Sequence, residues 1–275
     1  MLVKFDKMQA LGNDFVMIDW PDGVERPKND FFIKICNRVC GIGCDTVVVY
    51  NRIKSDVVTA CFFNADGSEA EICGNAARCI GLLMENRFGL SECTIVTSNN
   101  KAYPVKKNDL RISVSMGKIS LSLKDIGIQK ENIDPLLMLN ELELPDEVCA
   151  ASCASIGNPH LVLFYKNHPN ESEIESIGKV LEKHPLFLNR INVSFATIKT
   201  KNEIKLSVFE RGVGPTLACG SGACATVGLA YLHHFVEANV LVQQEGGCLE
   251  ISIDDFQNIF QSGPASLVFS GRIEI

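Results

Sequence analysis

No stretch of the 275-residue chain approaches the ~18 consecutive apolar residues of a membrane-spanning helix, and no run of lysine or arginine exceeds two residues. The first absence argues against a helical integral membrane protein. The second, with a formal net charge of -7, leaves no basic patch for nucleic acid or an anionic membrane surface. The opening residues Met1-Leu2-Val3-Lys4-Phe5-Asp6-Lys7 lack the uninterrupted apolar core of a signal peptide, so a soluble, cytoplasmic protein is expected. Twelve cysteines contain no C-x-x-C pair, and secreted disulfide frameworks are usually much shorter chains. Cys36, Cys40 and Cys44 recur every four residues, but Gly41 and Gly43 break any helix that would align them; Cys149 and Cys153 offer no better ligand set. Mostly buried, reduced thiols and no metal are the expectation. Apolar residues make up 46% of the chain, enough to build cores for one large or two ordinary domains.

What is present is a duplication. Gly12-Asn13 followed by Phe15-Val16-Met17-Ile18 recurs as Gly157-Asn158 followed by Leu161-Val162-Leu163-Phe164, an offset of 145 residues. Cys73-Gly74-Asn75 recurs as Cys219-Gly220-Ser221, an offset of 146, and each string leads into a small-residue, helix-like run. Two landmarks in nearly one register, at about half the chain length, predict two related halves. The boundary is placed near Gly117, giving residues 1–117 and 118–262, with residues 263–275 expected to return to the first half as a C-terminal strand.

The periodicities fill in the halves. In the first, Leu2 to Met8, Phe15 to Ile18, Val47 to Tyr50, Val57 to Phe63, Thr94 to Thr97, Ala102 to Lys106 and Leu110 to Ser115 read as strands. Phe31 to Val39, with Asp30 as N-cap, reads as a helix, and the run after Cys73 as a buried helix ending near Gly89. Lys118 to Glu147 is a Leu-rich passage. In the second half a strand follows Asn158, a helix runs from about Glu171 to Glu182, strands cover Ile191 to Ala196 and Ile204 to Phe209, and a helix spans about Gly222 to His234. Short strands at Val240 to Gln243, Leu249 to Ile253 and Leu267 to Phe269 finish the chain. Strands outnumber helices and hairpin spacings dominate, so the fold class is α+β with mainly antiparallel sheet, each half enclosing one long apolar helix.

A cysteine just ahead of a helix sits where unpaired backbone N–H groups and the helix dipole favour negative charge. Its thiolate becomes accessible from the ordinary thiol value of ~8.5, and the same N–H groups can hold a carboxylate. Two such sites suit an enzyme that inverts a carbon centre: one cysteine removes the α-proton from one face and the other returns a proton to the opposite face. Each Cys-Gly pair taken alone is most often a buried thiol at a helix start; it is their duplication in register that lowers that reading. The polar, turn-rich strings ahead of them, Asn64, Asp66, Gly67, Ser68, Glu69 and Glu71, and Glu210, Arg211, Gly212 and Gly214, are of the kind that binding loops use, though an ordinary solvated turn has the same composition.

The strings Leu11-Gly12-Asn13-Asp14-Phe15, Asn64 to Cys79, Gly157-Asn158-Pro159-His160, Glu210-Arg211-Gly212-Val213-Gly214 and Ala218 to Ala223 together resemble the diaminopimelate epimerases, in order and over nearly the whole chain. The resemblance implies a cofactor-independent epimerase that interconverts LL- and meso-diaminopimelate for lysine and peptidoglycan synthesis. It also implies two pseudosymmetric domains, each a sheet wrapped around a central helix, with the active site in the cleft between them, and a possible homodimer. Carried over by motif, Cys73 and Cys219 are the acid/base pair, and Gly74, Asn75, Gly220 and Ser221 present donors to the reacting carboxylate, with Asn13 beside them. Asn64, Asn158, Asn192, Glu210 and Arg211 match positions that hold the distal end, while His160 and Glu210 assist, His160 by lying near Cys73.

Three positions depart from the family pattern. Thr46 stands where a substrate-contacting glutamine is usual, Pro215 where glutamate is, and Ala76 where glycine is. A shorter Thr46 implies looser selectivity, extending to single-centre amino acids such as glutamate. Competing readings are a proline or hydroxyproline racemase on the same scaffold, a non-catalytic amino-acid-binding protein, a redox or metal protein that pairs the two cysteines, and a pyridoxal-phosphate racemase.

Overall fold

The apolar stretches that open the chain form a hairpin of β1 (Leu2–Ala10) and β2 (Asn13–Asp19), with Ala10 opposite Asn13. Leu11 and Gly12 turn it, both with positive φ (56° and 84°), which is the two-residue geometry whose twist matches the flanking strands. The computed structural model describes residues 2–21, 23–54, 56–70 and 72–274; Met1, Asp22, Ser55, Glu71 and Ile275 lie outside the described residues, so the motif residue Glu71 receives no structural account.

Backbone contacts divide the chain into one unit of Met1–Ser115 with Ser262–Ile275 and another of Met116–Gln261. In the first unit, helix α1 (Asn29–Cys36) carries the chain from β2 to its parallel neighbour β3 (Thr46–Arg52). β4 (Val57–Asn64) runs back antiparallel, with β5 (Glu69–Ala70) paired to its end, and then α2 (Gly74–Phe88) begins. β6 (Glu92–Thr97) returns parallel to β4, followed by the antiparallel β7 (Ala102–Asn108) and β8 (Arg111–Gly117).

β2 is apolar on both faces because both are covered. Val16 and Ile18 share a core with Phe32 and Ile35 of α1, and the period of two sends Phe15 and Met17 to the other side, where all four strand residues are fully buried. α2 packs on β1, β6 and β7, and it is buried all round from Gly74 to Gly81. No amphipathic stripe is needed in such a position. Gly89 ends it in the left-handed conformation (φ 68°), its N–H and that of Leu90 closing on the carbonyls of Glu85 and Met84.

The second unit runs through the same order. After a Leu-rich passage holding α3 (Leu123–Ile126) and a 3-10 turn, β9 (Val148–Ser155) and β10 (Pro159–Tyr165) pair as a hairpin. α4 (Glu171–Leu181) leads to β11 (Asn192–Thr200), parallel to β10, and β12 (Glu203–Glu210) runs antiparallel to it. β13 (Gly214–Thr216) pairs with the end of β12, and α5 (Gly220–Leu232) follows. β14 (Asn239–Gln244) lies parallel to β12, with β15 (Gly247–Ile253) and β16 (Ile259–Gly263) after it. Leu161, Leu163 and Tyr165 face Ile174 and Leu181 of α4, while α5, buried continuously from Gly222 to Ala230, packs on β9, β10, β11 and β15. The duplication read from two strings therefore extends to every element between β1 and β8. The chain ends with β17 (Ser266–Glu274), antiparallel to β1 along nearly its whole length.

The α+β class with mainly antiparallel sheet matches the strand spacing. Some boundaries differ. α1 runs Asn29–Cys36 and is preceded by Lys28, because the Asn37 side chain takes the N–H groups of Val39 and Cys40 and turns the chain out, leaving Val39 in solvent. β9 has no counterpart among the expected strands. Among the described residues, no helix is long and apolar enough to cross a membrane.

Candidate active site

Cys73 and Cys219 are the N-cap residues of α2 and α5, with almost the same backbone: φ -117° and ψ 114° at Cys73, φ -120° and ψ 111° at Cys219. Extended backbone at the cap followed by glycine lets each chain enter its helix directly; the Cys219 sulfur accepts a first-turn N–H, whereas the Cys73 sulfur makes no such cap bond. Cys219 is buried and Cys73 half-buried, whereas Cys79 and Cys153 are enclosed deep in the cores, where burial pushes their thiols far above the ordinary value.

In the first unit the hairpin turn delivers Asn13 to Cys73. The Asn13 Oδ1 lies 3.7 Å from Cys73 Sγ and accepts from Asn75 Nδ2 at 3.3 Å. Thr46 and Asn64, on neighbouring strands, stand directly opposite each other, Thr46 buried and Asn64 exposed with its amide donating to Ser68 Oγ at 3.0 Å. Gly74 and Asn75 form the buried first turn of α2.

In the second unit Ser221 is the meeting point. Its Oγ is 3.5 Å from Cys219 Sγ, 3.1 Å from His160 Nε2 and 3.3 Å from Asn158 Nδ2. Gly222 N–H donates to the Cys219 sulfur at 3.4 Å, one of the helix N-terminal donors, and Gly220 precedes it in the same buried turn. His160 is fully buried, and burial together with the positive charge of Arg211 pushes its pKa down to about 3. It is therefore a neutral hydrogen-bonding group in this unit, set against Asn158 and Ser221, and its Nδ1 is buried without a partner. Asn192 is buried and spans two loops, donating to the Pro159 carbonyl at 2.9 Å and accepting the Arg211 N–H at 2.9 Å. The Arg211 guanidinium caps the Asn189 carbonyl at 3.2 Å, and Glu210 accepts from Thr216 Oγ1 at 2.6 Å, across the short hairpin that Gly214-Pro215 completes.

Four supporting residues were not singled out by the sequence. Gln244 Oε1 accepts the Cys219 N–H at 2.8 Å, and buried Glu182 holds the Gly212 N–H at 2.9 Å, fixing the Arg211 turn. Asp45 accepts from Asn13 Nδ2 at 2.8 Å, and the fully buried Arg78 donates to Asn75 Oδ1 at 2.9 Å. Only Arg78 lies beside one of the repeated strings; Asp45, Glu182 and Gln244 are distant from them in sequence, and a lone charge or amide is too common to select.

Residues 5–133 and 152–268 match the family described as diaminopimelate epimerase. The chain belongs to the diaminopimelate epimerase family. The diaminopimelate epimerase of Methanococcus maripaludis is 36% identical over 99% of this chain and 100% of its own length. The chloroplastic diaminopimelate epimerase of Oryza sativa subsp. japonica is 36% identical over 97% of this chain and 79% of its own. Membership in this family makes the chain an isomerase of the epimerase class. Among solved structures, a phenazine biosynthesis protein of the PhzF family from Enterococcus faecalis shares the fold with a TM-score of 0.68 at 10% identity, over 100% of both chains. A hydroxyproline epimerase from Agrobacterium vitis, solved with bound trans-4-OH-L-proline, shares it with a TM-score of 0.66 at 9% identity, over 99% of this chain and 92% of its own.

Proposed function

We propose that this chain interconverts LL- and meso-2,6-diaminopimelate without a cofactor, by two-base proton transfer between Cys73 and Cys219, in lysine and peptidoglycan biosynthesis. The observation that carries the reading is the matched pair of cysteine N-caps on two equivalent helices. The reading requires both thiols to address one α-carbon from opposite faces. One cysteine, as thiolate, removes the α-proton; the electron pair left on carbon delocalises into the carboxylate as an enediolate. The N–H groups at Gly74, Asn75, Gly220 and Ser221 stabilise that developing charge, which is where the high barrier lies. The other cysteine, as thiol, delivers a proton to the opposite face, so configuration inverts and thiol and thiolate have exchanged places. His160, neutral, acts through Ser221 on Cys219 as a hydrogen-bonding group.

The distal end of the substrate carries an ammonium and a carboxylate. Arg211 offers a planar fork for the carboxylate, while Glu210 and the amide oxygens of Asn64, Asn158 and Asn192 supply acceptors for the ammonium. Thr46 in place of glutamine leaves the reacting end less tightly held, and selectivity is correspondingly relaxed toward single-centre amino acids.

Incubation of each diaminopimelate isomer in deuterated water, with no cofactor added, tests the reading. Wild type incorporates α-deuterium and converts the isomers; Cys73→Ala and Cys219→Ala each lose conversion. Normal conversion in either variant rejects the two-base assignment, and no exchange with glutamate or another single-centre amino acid rejects the relaxed selectivity.

A further inference from the structure

Around Cys73 two side-chain amides are oriented by charges of opposite sign. A carboxylate only accepts hydrogen bonds and a guanidinium only donates them, so each neighbour dictates which end of an amide it meets. Asp45 Oδ2 meets Asn13 at 2.8 Å, which turns the Asn13 NH2 toward Asp45 and its oxygen back toward the helix. Arg78 Nη2 meets Asn75 at 2.9 Å, which takes the Asn75 oxygen and turns its NH2 toward Asn13. Both constraints converge on one acceptor, the Asn13 oxygen, 3.3 Å from Asn75 Nδ2 and 3.7 Å from Cys73 Sγ.

Asp45 is itself held. Arg38 Nη2 reaches Asp45 Oδ1 at 2.8 Å and grips Asp14 through two bonds of 2.7 and 2.9 Å, while Lys7 pairs with Asp14 from the other side. Burial alone would raise the Asp14 carboxyl, but the hydrogen bonds from Arg38 and Lys7 outweigh it and hold Asp14 well below the usual carboxylate range. The Asp45 anchor thus belongs to a four-charge cluster. A sulfur facing an amide oxygen is favoured as S–H, since thiolate lone pairs would oppose that oxygen. Cys219 has the reverse setting, with the Gly222 N–H aimed at its sulfur at 3.4 Å.

We propose that Asp45 is a positioning residue that locks the Asn13 amide with its oxygen toward Cys73, so that in the resting enzyme Cys73 carries the proton and Cys219 is the base. The inference rests on the two-base reading for its mechanistic meaning, but its test needs no substrate. Alkylation by iodoacetamide near neutral pH, resolved cysteine by cysteine by peptide mass spectrometry, reports thiolate content at each sulfur. In wild type Cys73 reacts more slowly than its half-buried position predicts. In Asp45→Asn the carboxamide can meet Asn13 with its own NH2, the Asn13 amide is released to turn an N–H toward the sulfur, and the Cys73 rate rises roughly five-fold, the effect of about one hydrogen bond exchanged. The Cys219 rate stays unchanged and serves as the internal reference, and Asp45→Glu, which keeps a carboxylate, stays close to wild type.

An unchanged ratio of Cys73 to Cys219 labelling in folded Asp45→Asn overturns the inference, as does an equal rise in the Glu variant. Labelling of the core thiol Cys79 reports opening of the fold; if Asp45→Asn opens it, Arg38→Gln, which removes the exposed cation holding Asp45, reads the same ratio with the same criterion. Failure of wild type to epimerise would reject the proposed function and leave the labelling result standing by itself.

Discussion

His160 carries a charge question that its position answers. Its pKa lies at about 3 in the folded chain against 6.5 in an exposed histidine, because burial and the Arg211 charge disfavour the imidazolium. The unfolded chain therefore binds the proton first as pH falls. The stability that the neutral ring contributes is fully present above pH ~6.5 and is lost below it, at about 1.4 kcal/mol per pH unit for one histidine. His168, half-buried between Thr197 and Ser207 and shifted to about 4, adds a slope of the same sign. Urea unfolding between pH 6.5 and 5, above the carboxylate range, should show a midpoint that falls in wild type and falls less steeply in His160→Gln. Parallel slopes in the two proteins would rule out the neutral-histidine account. At this scale the two cysteines, Asn13 and Ser221 were legible because short strings mark them twice. Asp45, Arg78, Gln244 and Glu182 were not, since each acts on a backbone or amide partner brought near only by folding.

The central helices show how an element can be readable while its neighbourhood is not. α2 and α5 stood out as long apolar runs after a Cys-Gly pair. The strand β9 did not, because Val-Cys-Ala-Ala-Ser-Cys-Ala-Ser has few β-branched residues and no alternation; it is a strand because β10 pairs along it. Close packing of strands on helix also explains Gly81. A Cβ there would meet Val105 Cγ1 at 2.7 Å and Ile112 Cγ2 at 2.9 Å, from β7 and β8. Gly→Ala inside a helix ordinarily gains about 1 kcal/mol, but overpacking of this kind costs about 1–3 kcal/mol. Gly81→Ala should therefore lower the thermal midpoint, and activity should fall with it as α2 and its Cys73 cap shift against β1. A raised midpoint with full activity would mean that the strands yield without cost.

For the whole molecule, the decisive feature is that one unit is continuous in sequence and the other is not. β17 pairs with β1 from Leu2↔Glu274 to Gln9↔Ser266, the Ser270 hydroxyl bonds Asp6 at 2.6 Å, and the Pro264 carbonyl accepts from Arg78 Nε at 3.2 Å. A chain truncated after Gln261 removes all three. Hydrogen exchange on that chain should find protected amides in α5 and β10 to β12, with protection lost in β1 and β2. Retained protection in β1 would mean that the first unit is stable without its last strand. The two halves and a returning C-terminal strand were visible in the sequence, whereas the periodicity alone marked only Leu267 to Phe269 of β17, because these three apolar residues are consecutive and exposed and only Ile273 follows them among polar neighbours.

The return of β17 also sets an order in time. On a ribosome, residues 116–261 can collapse as soon as they emerge, while β1 waits, its partner edge unfilled and Arg78 short of a carbonyl, until residues 264–274 leave the exit tunnel. The unit that carries Cys219 is thus free to form before the unit that carries Cys73, although Cys73 is synthesised first.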